Sequence, residues 1–163
     1  MAETQKVVHP FAPIVDVHSR VLILGSFPSV ISRQQSFYYA NPHNRFWPVL
    51  FALFEEEPCE RTEFCHRHHI ALWDVIHSCT ITGSSDASIK DVKVNDINGL
   101  LKDSEVRAVF TTGTRASSLY EKYIDCKLVH IALPSTSSAN ARMKMDDLVN
   151  AYRIIREYCD EKD

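Results

Sequence analysis

Short apolar runs that end at a glycine or a polar residue constrain the fold of this chain most strongly. The first is Val21-Leu22-Ile23-Leu24-Gly25, and similar runs cover residues 70–76, 108–113 and 128–133. Apolar side chains at successive positions are typical of strands that are buried on both faces of a sheet. We therefore predict four strands, each covered on both sides by other elements.

Segments with helical character separate these runs. They cover Phe46–Phe54, Arg61–His69, the positions Val94, Ile97, Leu100 and Leu101, a helix that Thr114 is expected to cap and that extends to Tyr123, and a C-terminal stripe of Leu148, Tyr152, Ile155 and Cys159. Because strands alternate with helices, we predict an α/β fold, namely a three-layer α/β/α sandwich with a central, mostly parallel four-stranded sheet. The 163 residues are expected to form one domain, 1–163.

The ends of the predicted strands indicate where to look for chemistry. In open parallel sheets, ligands bind beyond the carboxyl ends of the strands. These ends lead into four segments, which are Gly25–Pro28, Ile76–Gly83, Gly113–Arg115 and Pro134–Asn140.

Charge and composition narrow the classes of partner. A net charge of −3 is not typical of a protein held on nucleic acid by bulk charge. A local basic face would be needed, and the candidates are Arg33, Arg45, Arg115, Arg142 and Lys144, although charge alone favours ordinary solvated side chains. Five cysteines without repeating spacing, and the lack of a secretory pattern or a long apolar run, predict a soluble intracellular protein, in cytoplasm or nucleus, with no membrane contact.

The first candidate site segment follows the first strand. It begins with Gly25-Ser26-Phe27-Pro28-Ser29 and includes Phe37-Tyr38-Tyr39-Ala40-Asn41-Pro42-His43-Asn44-Arg45-Phe46-Trp47. A glycine and a proline directly after a buried strand form a rigid turn that lets a ligand approach the backbone. Aromatic faces, an amide that donates and accepts, and a cation suit a pocket for a nucleobase beside a phosphate.

The second candidate segment follows the last predicted strand. It is Leu133-Pro134-Ser135-Thr136-Ser137-Ser138-Ala139-Asn140-Ala141-Arg142. Small hydroxyl residues and free backbone amides in such a loop can hold a phosphate or enter a nucleic-acid groove. Each of the two segments, taken alone, can also be interpreted as a plain loop.

Taken together, the two segments resemble the uracil-DNA glycosylase superfamily. The positions that fall on the pattern of its mismatch-specific members are Gly25, Pro28, Tyr39, Pro42, Asn44, Arg45, Phe46 and Trp47. The strings Gly-Ser-Phe-Pro-Ser, Phe-Tyr-Tyr, Asn-Arg-Phe-Trp and Leu-Pro-Ser-Thr-Ser are similar to the hypoxanthine-DNA glycosylase branch, as are Leu72–Ile76 and Gly83–Asp86. The similarity runs from about Val21 to Arg142.

The sequence departs from the wider superfamily at the two usual catalytic positions. Most members have Asp or Asn where this chain has Phe27, and many have His or Asn where it has Leu133. Either the protein is inactive, or another polar side chain replaces them. The resemblance to the hypoxanthine branch implies Asn44 as the catalytic residue. The alternative is that Asn44 only locks its loop by bonding backbone groups.

The resemblance also implies roles for other residues. The predicted base pocket contains Gly25, Ser26, Phe27, Pro28, Tyr39 and Asp74. Tyr39 is expected to stack on the flipped base, and its alternative role is to pack in the core. Asp74 is expected to accept from the N1–H of hypoxanthine, and its alternative role is to bind backbone groups. The predicted DNA contacts are Ser135, Thr136, Ser137, Ser138, Asn140 and Arg142. Thr112-Gly113 stands where related sequences often have Asn-Gly, so an amide contact is lost there.

Two other groups of side chains could indicate a different chemistry, namely a metal site or a cysteine nucleophile. Cys59, Cys65, His66, His68 and His69 have no standard zinc spacing, so we expect no metal site. A nucleophilic Cys79 next to His77 lacks any residue that the sequence places as its base.

The resemblance therefore implies a base-excision-repair glycosylase that hydrolyses the N-glycosidic bond of a deaminated base, with hypoxanthine as the expected base, flipped out of double-stranded or single-stranded DNA. No lysine lies in either segment, which predicts a monofunctional enzyme, and neither metal nor organic cofactor is expected. We expect a monomer. The alternatives are a uracil or mismatch-specific glycosylase, a catalytically silent module that binds damaged DNA, and an α/β domain that binds a nucleotide or another small phosphate, although the chain has no glycine-rich phosphate loop.

Overall fold

The computed structural model of the protein describes residues 4–160. The strands are β1 (Thr4–Val8), β2 (Val21–Gly25), β3 (Ile70–Asp74), β4 (Ile76–Thr82), β5 (Lys90–Val94), β6 (Ala108–Thr112) and β7 (Val129–Leu133). The helices are α1 (Val30–Gln35), α2 (Phe46–Leu53), α3 (Arg61–Arg67), α4 (Ile97–Leu101), α5 (Thr114–Tyr123), α6 (Met145–Tyr152) and α7 (Ile154–Cys159), with a 3₁₀ turn at Asp86–Ser88.

The four predicted strands form one parallel sheet in the order β3-β2-β6-β7. Every residue of β2 is buried, because its side chains alternate between two apolar layers. Val21 and Ile23 pack on one face of the sheet, and Leu22 and Leu24 pack on the other. The prediction of a central parallel sheet is confirmed.

The two faces of the sheet carry different layers. One face packs against α2, α3, α6 and α7 through side chains such as Phe64 and Leu148. The other packs against α4, α5 and the strand β4 through side chains such as Ile97, Leu119 and Ile81. The architecture is therefore the predicted α/β/α sandwich, with a small second sheet added to one layer.

This second sheet is a correction to the sequence analysis. It is antiparallel in the order β1-β4-β5, and its central strand occupies Ile76–Thr82, where a loop was expected. The predicted strand 70–76 is in fact two strands, which meet at Val75. The amides of Val75 and Ile76 still bond to the carbonyls of Gly25 and Ser26 before the chain leaves the parallel sheet.

Three helix predictions also need correction. Val94 lies at the end of β5, so only Ile97–Leu101 is helical. Gly113, with φ of 92°, occupies the N-cap of α5, and Thr114 is its first helical residue. The C-terminal stripe is divided between α6 and α7, with Arg153 between them.

The strand order determines where a crevice opens. The chain passes from β2 to β3 on one side of β2, and later returns to place β6 and β7 on the other side. Loops that leave β2 and β6 therefore diverge, and the carboxyl ends of these two strands are the topological switch point at which α/β sheets bind ligands. Gly25 and Thr112 end the two strands.

Across residues 4–160, every helix is too short or too polar to cross a bilayer.

Candidate active site

A cleft of about 220 Å³ opens at this switch point. The last residues of β2, β3 and β6 and the segments after β2, β4 and β7 all contribute to its wall. The residues that line it are Gly25, Ser26, Phe27, Pro28, Ser29, Ser32, Tyr38, Tyr39, Asn41, Asn44, Asp74, Ser84, Asp86, Thr112, Ser135, Thr136 and Ser137. Residues far apart in the sequence thus share one cavity.

Every residue of the predicted base pocket, together with Asn44, lines this cleft. The predicted DNA contacts are divided between two places. Ser135, Thr136 and Ser137 line the cleft, whereas Asn140 and Arg142 line an adjoining depression that also borders Ser135 and Ser137. Ser138 is exposed and lines neither of them.

The two ends of the Asn44 side-chain amide have different surroundings. Its Oδ1 accepts from the backbone N–H of Phe46 at 2.9 Å and from the Thr136 hydroxyl at 2.8 Å. A backbone N–H can only donate, so the amide orientation is fixed. Within residues 4–160, the Nδ2 group has no hydrogen-bond partner, and Asn44 lines the cleft. The oxygen therefore locks the loop, while the NH₂ group remains available as a donor.

Thr136 differs from the expectation of a DNA contact. It is buried, and its hydroxyl donates to Asn44, so this group is not free for a phosphate. Its carbonyl accepts from the backbone N–H of Arg45 at 3.0 Å. Thr136 therefore joins the loop after β7 to the loop before α2 and positions Asn44.

Two of the five candidate basic residues are engaged inside the protein. Arg45 donates to the carbonyls of Ser137 at 2.8 Å and Asn140 at 3.0 Å, and also to Met143. Arg33 donates to the carbonyl of Gly83 at 2.9 Å. A guanidinium with several donors in a fixed fork suits this cross-linking role. The basic face is therefore reduced to the other three candidates, of which Arg142 and Lys144 are exposed.

Tyr39 forms part of the floor of the cleft. Its ring stacks on Phe46, with centroids 3.7 Å apart and planes 12° from parallel, and its hydroxyl is 2.8 Å from the Thr112 hydroxyl. Burial, together with the nearby Asp74, raises the pKa of the Tyr39 hydroxyl well above its usual value. The backbone has φ of 51°, a left-handed conformation that costs a non-glycine residue about 1–3 kcal/mol. The surrounding contacts hold Tyr39 in this position.

Asp74 is paired with His9, a residue that the sequence analysis missed. The distance from His9 Nε2 to Asp74 Oδ2 is 2.7 Å, and the side chains are 3% and 6% exposed. His9 Nδ1 lies 2.9 Å from the Phe11 carbonyl, so this nitrogen must carry a proton. The contact with Asp74 then contains one further proton, which makes the pair either imidazolium with carboxylate or imidazole with carboxylic acid.

The two positions that depart from the superfamily pattern have different environments. Phe27 lines the cleft, with the Arg33 guanidinium 5.7 Å from its ring centre. Leu133 is buried in the apolar core at the end of β7. Phe27 therefore adds an apolar wall to the cleft, and Leu133 only supports it.

Asp86 is a second residue that the sequence analysis did not assign to the site. Asp86 is exposed as a residue, but it lines the cleft, where its Oδ1 accepts from the Ser26 hydroxyl at 2.9 Å. Withdrawal from water raises the pKa of this carboxyl above the usual value for an aspartate. Residues Gly83–Asp86 are part of the family resemblance, and this resemblance is the sequence signal that could have identified Asp86 as a site residue.

Two of the histidines near α3, His66 and His68, are paired with carboxylates. His66 Nδ1 lies 2.9 Å from an Asp16 oxygen, and His68 pairs with Glu56. Among the described residues, no group of three His, Cys, Asp or Glu side chains is arranged to hold a metal ion. Cys79 is buried, which raises the pKa of its thiol.

An α/β/α sandwich with a polar and aromatic cleft at the switch point of its parallel sheet belongs to the class of α/β proteins that bind their ligands at this place in the fold. Within that class, the family model of the uracil DNA glycosylase superfamily matches residues 12–156. The chain belongs to this superfamily.

Three relatives illustrate the similarity. A hypoxanthine DNA glycosylase from Methanosarcina barkeri is 36% identical over 98 residues. The matched part is 57% of this chain and 61% of that protein, so the chain spans less than two thirds of this relative. A hypoxanthine DNA glycosylase from Methanosarcina acetivorans is 30% identical over 138 residues, 81% of this chain and 87% of that protein. The solution NMR structure of a candidate uracil DNA glycosylase from Methanosarcina acetivorans, 29% identical, has a TM-score of 0.75 and covers 89% of this chain and 96% of that one.

Proposed function

We propose that the protein is a monofunctional DNA glycosylase that removes hypoxanthine from DNA. The observation that carries the proposal is the fixed Asn44 amide. Its NH₂ group has no partner in the described part of the chain and belongs to a cleft formed from both family segments. The names of the two curated relatives support hypoxanthine as the substrate. No lysine is among the described residues that line the cleft, which supports hydrolysis rather than Schiff-base chemistry.

The cleft offers complementary groups to a flipped hypoxanthine. We assign Asp74 as the acceptor for the N1–H of the base, a hydrogen that adenine lacks. Only its Oδ2 contacts His9, and its Oδ1 lies next to Gly25 in the cleft. The Tyr39 and Phe27 rings supply apolar surface for stacking, which contributes about 1–3 kcal/mol per base. This gain offsets part of the cost of unstacking the nucleotide, which is a few kcal/mol.

The chemical step breaks the bond between the sugar C1′ and the base nitrogen N9. The electron pair stays on the base, which leaves as an anion, while the sugar develops oxocarbenium character. A donor fixed in advance stabilises such developing charge without any reorganisation. We assign this role to Asn44 Nδ2, which the Thr136 hydroxyl and the Phe46 amide hold in place through Oδ1.

Contacts to the DNA backbone are proposed for the rim of the cleft. Ser137, Ser138, Asn140 and Arg142 lie in or beside the loop after β7, and Arg142 and Ser138 are exposed there. Such contacts position the duplex without specifying the base. We further propose that the protein acts as a monomer on double-stranded or single-stranded DNA.

The proposal is tested with duplexes that carry one hypoxanthine, uracil or xanthine. After treatment with protein, hot alkali cleaves the strand wherever a base has been removed. We expect strand cleavage at hypoxanthine, and cleavage without alkali should be absent because the enzyme is monofunctional. Exclusive cleavage at uracil would support the uracil-specific alternative. Binding to damaged duplexes without any cleavage would support a silent binding module.

A further inference from the structure

The cleft contains a carboxylate in addition to Asp74, although the usual acidic position after β2 is occupied by Phe27. This carboxylate is Asp86, which reaches the cleft from the 3₁₀ turn that follows β4. The Ser26 hydroxyl donates to its Oδ1 at 2.9 Å, so the carboxyl lies against the residue immediately before Phe27. A different element thus places an acid beside the position that lost one.

The segment that carries Asp86 is held by several hydrogen bonds. The Ser84 hydroxyl accepts from the backbone N–H of Val30 at 2.8 Å, which ties the turn to α1. The Ser88 hydroxyl accepts from the Thr82 amide at 2.8 Å and donates to the Ser85 carbonyl at 2.7 Å. A carboxylate on a turn fixed at both ends is preorganised, as a group that handles a proton must be.

We propose that Asp86 is a catalytic residue, the base that accepts the proton of the attacking water. The inference rests on the proposed glycosylase function. As the C1′–N9 bond breaks, the water oxygen bonds to C1′ and one water proton passes to the Asp86 carboxylate. The base leaves as an anion and takes a proton from solvent, and Asp86 releases its proton to solvent after the reaction. Asn44 and Asp86 then act on the two partners of the broken bond, the base and the sugar.

The groups that change the pKa of the Asp86 carboxyl come from three places in the fold. Withdrawal from water raises the pKa of the carboxyl, and Asp74 at the end of β3 adds to this effect. The Ser26 hydroxyl after β2 and Arg115 on α5 lower it. A carboxylate whose pKa is moved upward is a better proton acceptor than an ordinary one. The single-turnover rate should therefore rise with pH through the pKa of Asp86 and level off above it.

The test compares single-turnover excision of hypoxanthine by the wild type, Asp86→Asn and Ser26→Ala over a range of pH. We expect Asp86→Asn to lose about 10²-fold or more in rate and to lose the rise with pH. Ser26→Ala removes a hydrogen bond to the charged form, so it should move the rise to higher pH by about one unit. Asp91→Asn, an exposed carboxylate outside the cleft, is the matched control and should behave as wild type.

Melting curves and DNA affinity establish that each variant folds and binds. An Asp86→Asn protein with the wild-type rate and pH profile would overturn the inference while leaving the proposed function intact. If Asp86→Asn does not fold, the Ser26→Ala profile decides, and an unshifted profile counts against Asp86. A wild-type protein that removes no deaminated base would contradict the proposed function itself, and this inference with it.

Discussion

The floor and the rim of the cleft differ in how their polar groups are used. On the floor, Tyr39 bonds to Thr112 and Asp74 pairs with His9, all within the protein. On the rim, Ser138 and Arg142 are exposed to solvent. Buried polar groups must be paired to avoid a desolvation cost, whereas exposed ones need no partner. The floor is therefore suited to selecting a base, and the rim to holding a DNA backbone of any sequence.

The largest effect on the floor is expected for His9→Ala. It leaves the Asp74 carboxyl buried without its partner. Breaking a buried ion pair in this way typically costs about 3–5 kcal/mol of stability, and breaking a neutral hydrogen-bonded pair costs about 1–3 kcal/mol. Chemical denaturation of the variant measures this cost.

The double variant His9→Ala/Asp74→Asn is the control for this prediction. It removes the unpaired ionisable carboxyl together with its partner, so it should be more stable than His9→Ala alone. Equal stability of the single and double variants would show that the pair is not what holds the floor.

Gly25→Ala tests the packing of the floor and should have a smaller effect. A Cβ at this position would lie 2.5 Å from Asp74 Oδ1 and 3.1 Å from the Tyr39 hydroxyl. Both groups are fixed by their own hydrogen bonds, so we expect a loss of about 1–3 kcal/mol in stability, together with slower excision.

Gly99→Ala is a matched control, because its Cβ would also meet a carboxylate, that of Asp96, at 2.2 Å. Asp96 is exposed, but its Oδ1 caps α4 by accepting from the Gly99 N–H at 3.0 Å, so turning away costs about 0.5–2 kcal/mol. The higher helix propensity of alanine, about 1 kcal/mol, offsets part of this cost, so the variant should be less affected than Gly25→Ala. Similar melting temperatures for the two glycine variants would mean that the side chains of the floor adjust to an added Cβ as readily as a surface side chain does.

Arg142→Ala tests the rim and should have the smallest effect. We expect weaker binding to every DNA sequence, with no change in which base is removed, because a phosphate contact positions without specifying. The slope of log affinity against log salt concentration should become shallower by about one. Lys127→Ala is the control, because Lys127 is an exposed cation before β7 and lies near the amino ends of the parallel strands, whereas the cleft lies at their carboxyl ends. An unchanged salt dependence for Arg142→Ala would place this residue away from the DNA.

The sequence predicted the parallel sheet because its strands are apolar at consecutive positions, as in β2. It did not predict β4, whose seven residues mix buried Ile76 and Ile81 with His77 and two threonines. Strands of this kind acquire their identity from their neighbours, here β1 and β5, and only weakly from their own pattern.

The candidate site was predictable only where the family pattern covers it. The resemblance includes Asn44 and Tyr39, and both of them line the cleft. His9 lies outside that pattern, and a single histidine near the start of a chain gives no sign of a partner 65 residues away. Arg45 is part of the pattern, but the sequence could not show that its guanidinium cross-links two loops.

The central claim is that Asn44 acts as a donor through Nδ2 while Oδ1 holds the loop. Asn44→Asp separates these functions, because a carboxylate can still accept from the Phe46 amide and the Thr136 hydroxyl but has no hydrogen to donate. The decisive measurement is the single-turnover rate of hypoxanthine excision by Asn44→Asp, with melting curves and DNA affinity as controls. The account predicts a folded protein with near wild-type DNA affinity and a rate lower by about 10²–10³. A folded Asn44→Asp protein that excises hypoxanthine at the wild-type rate would contradict it.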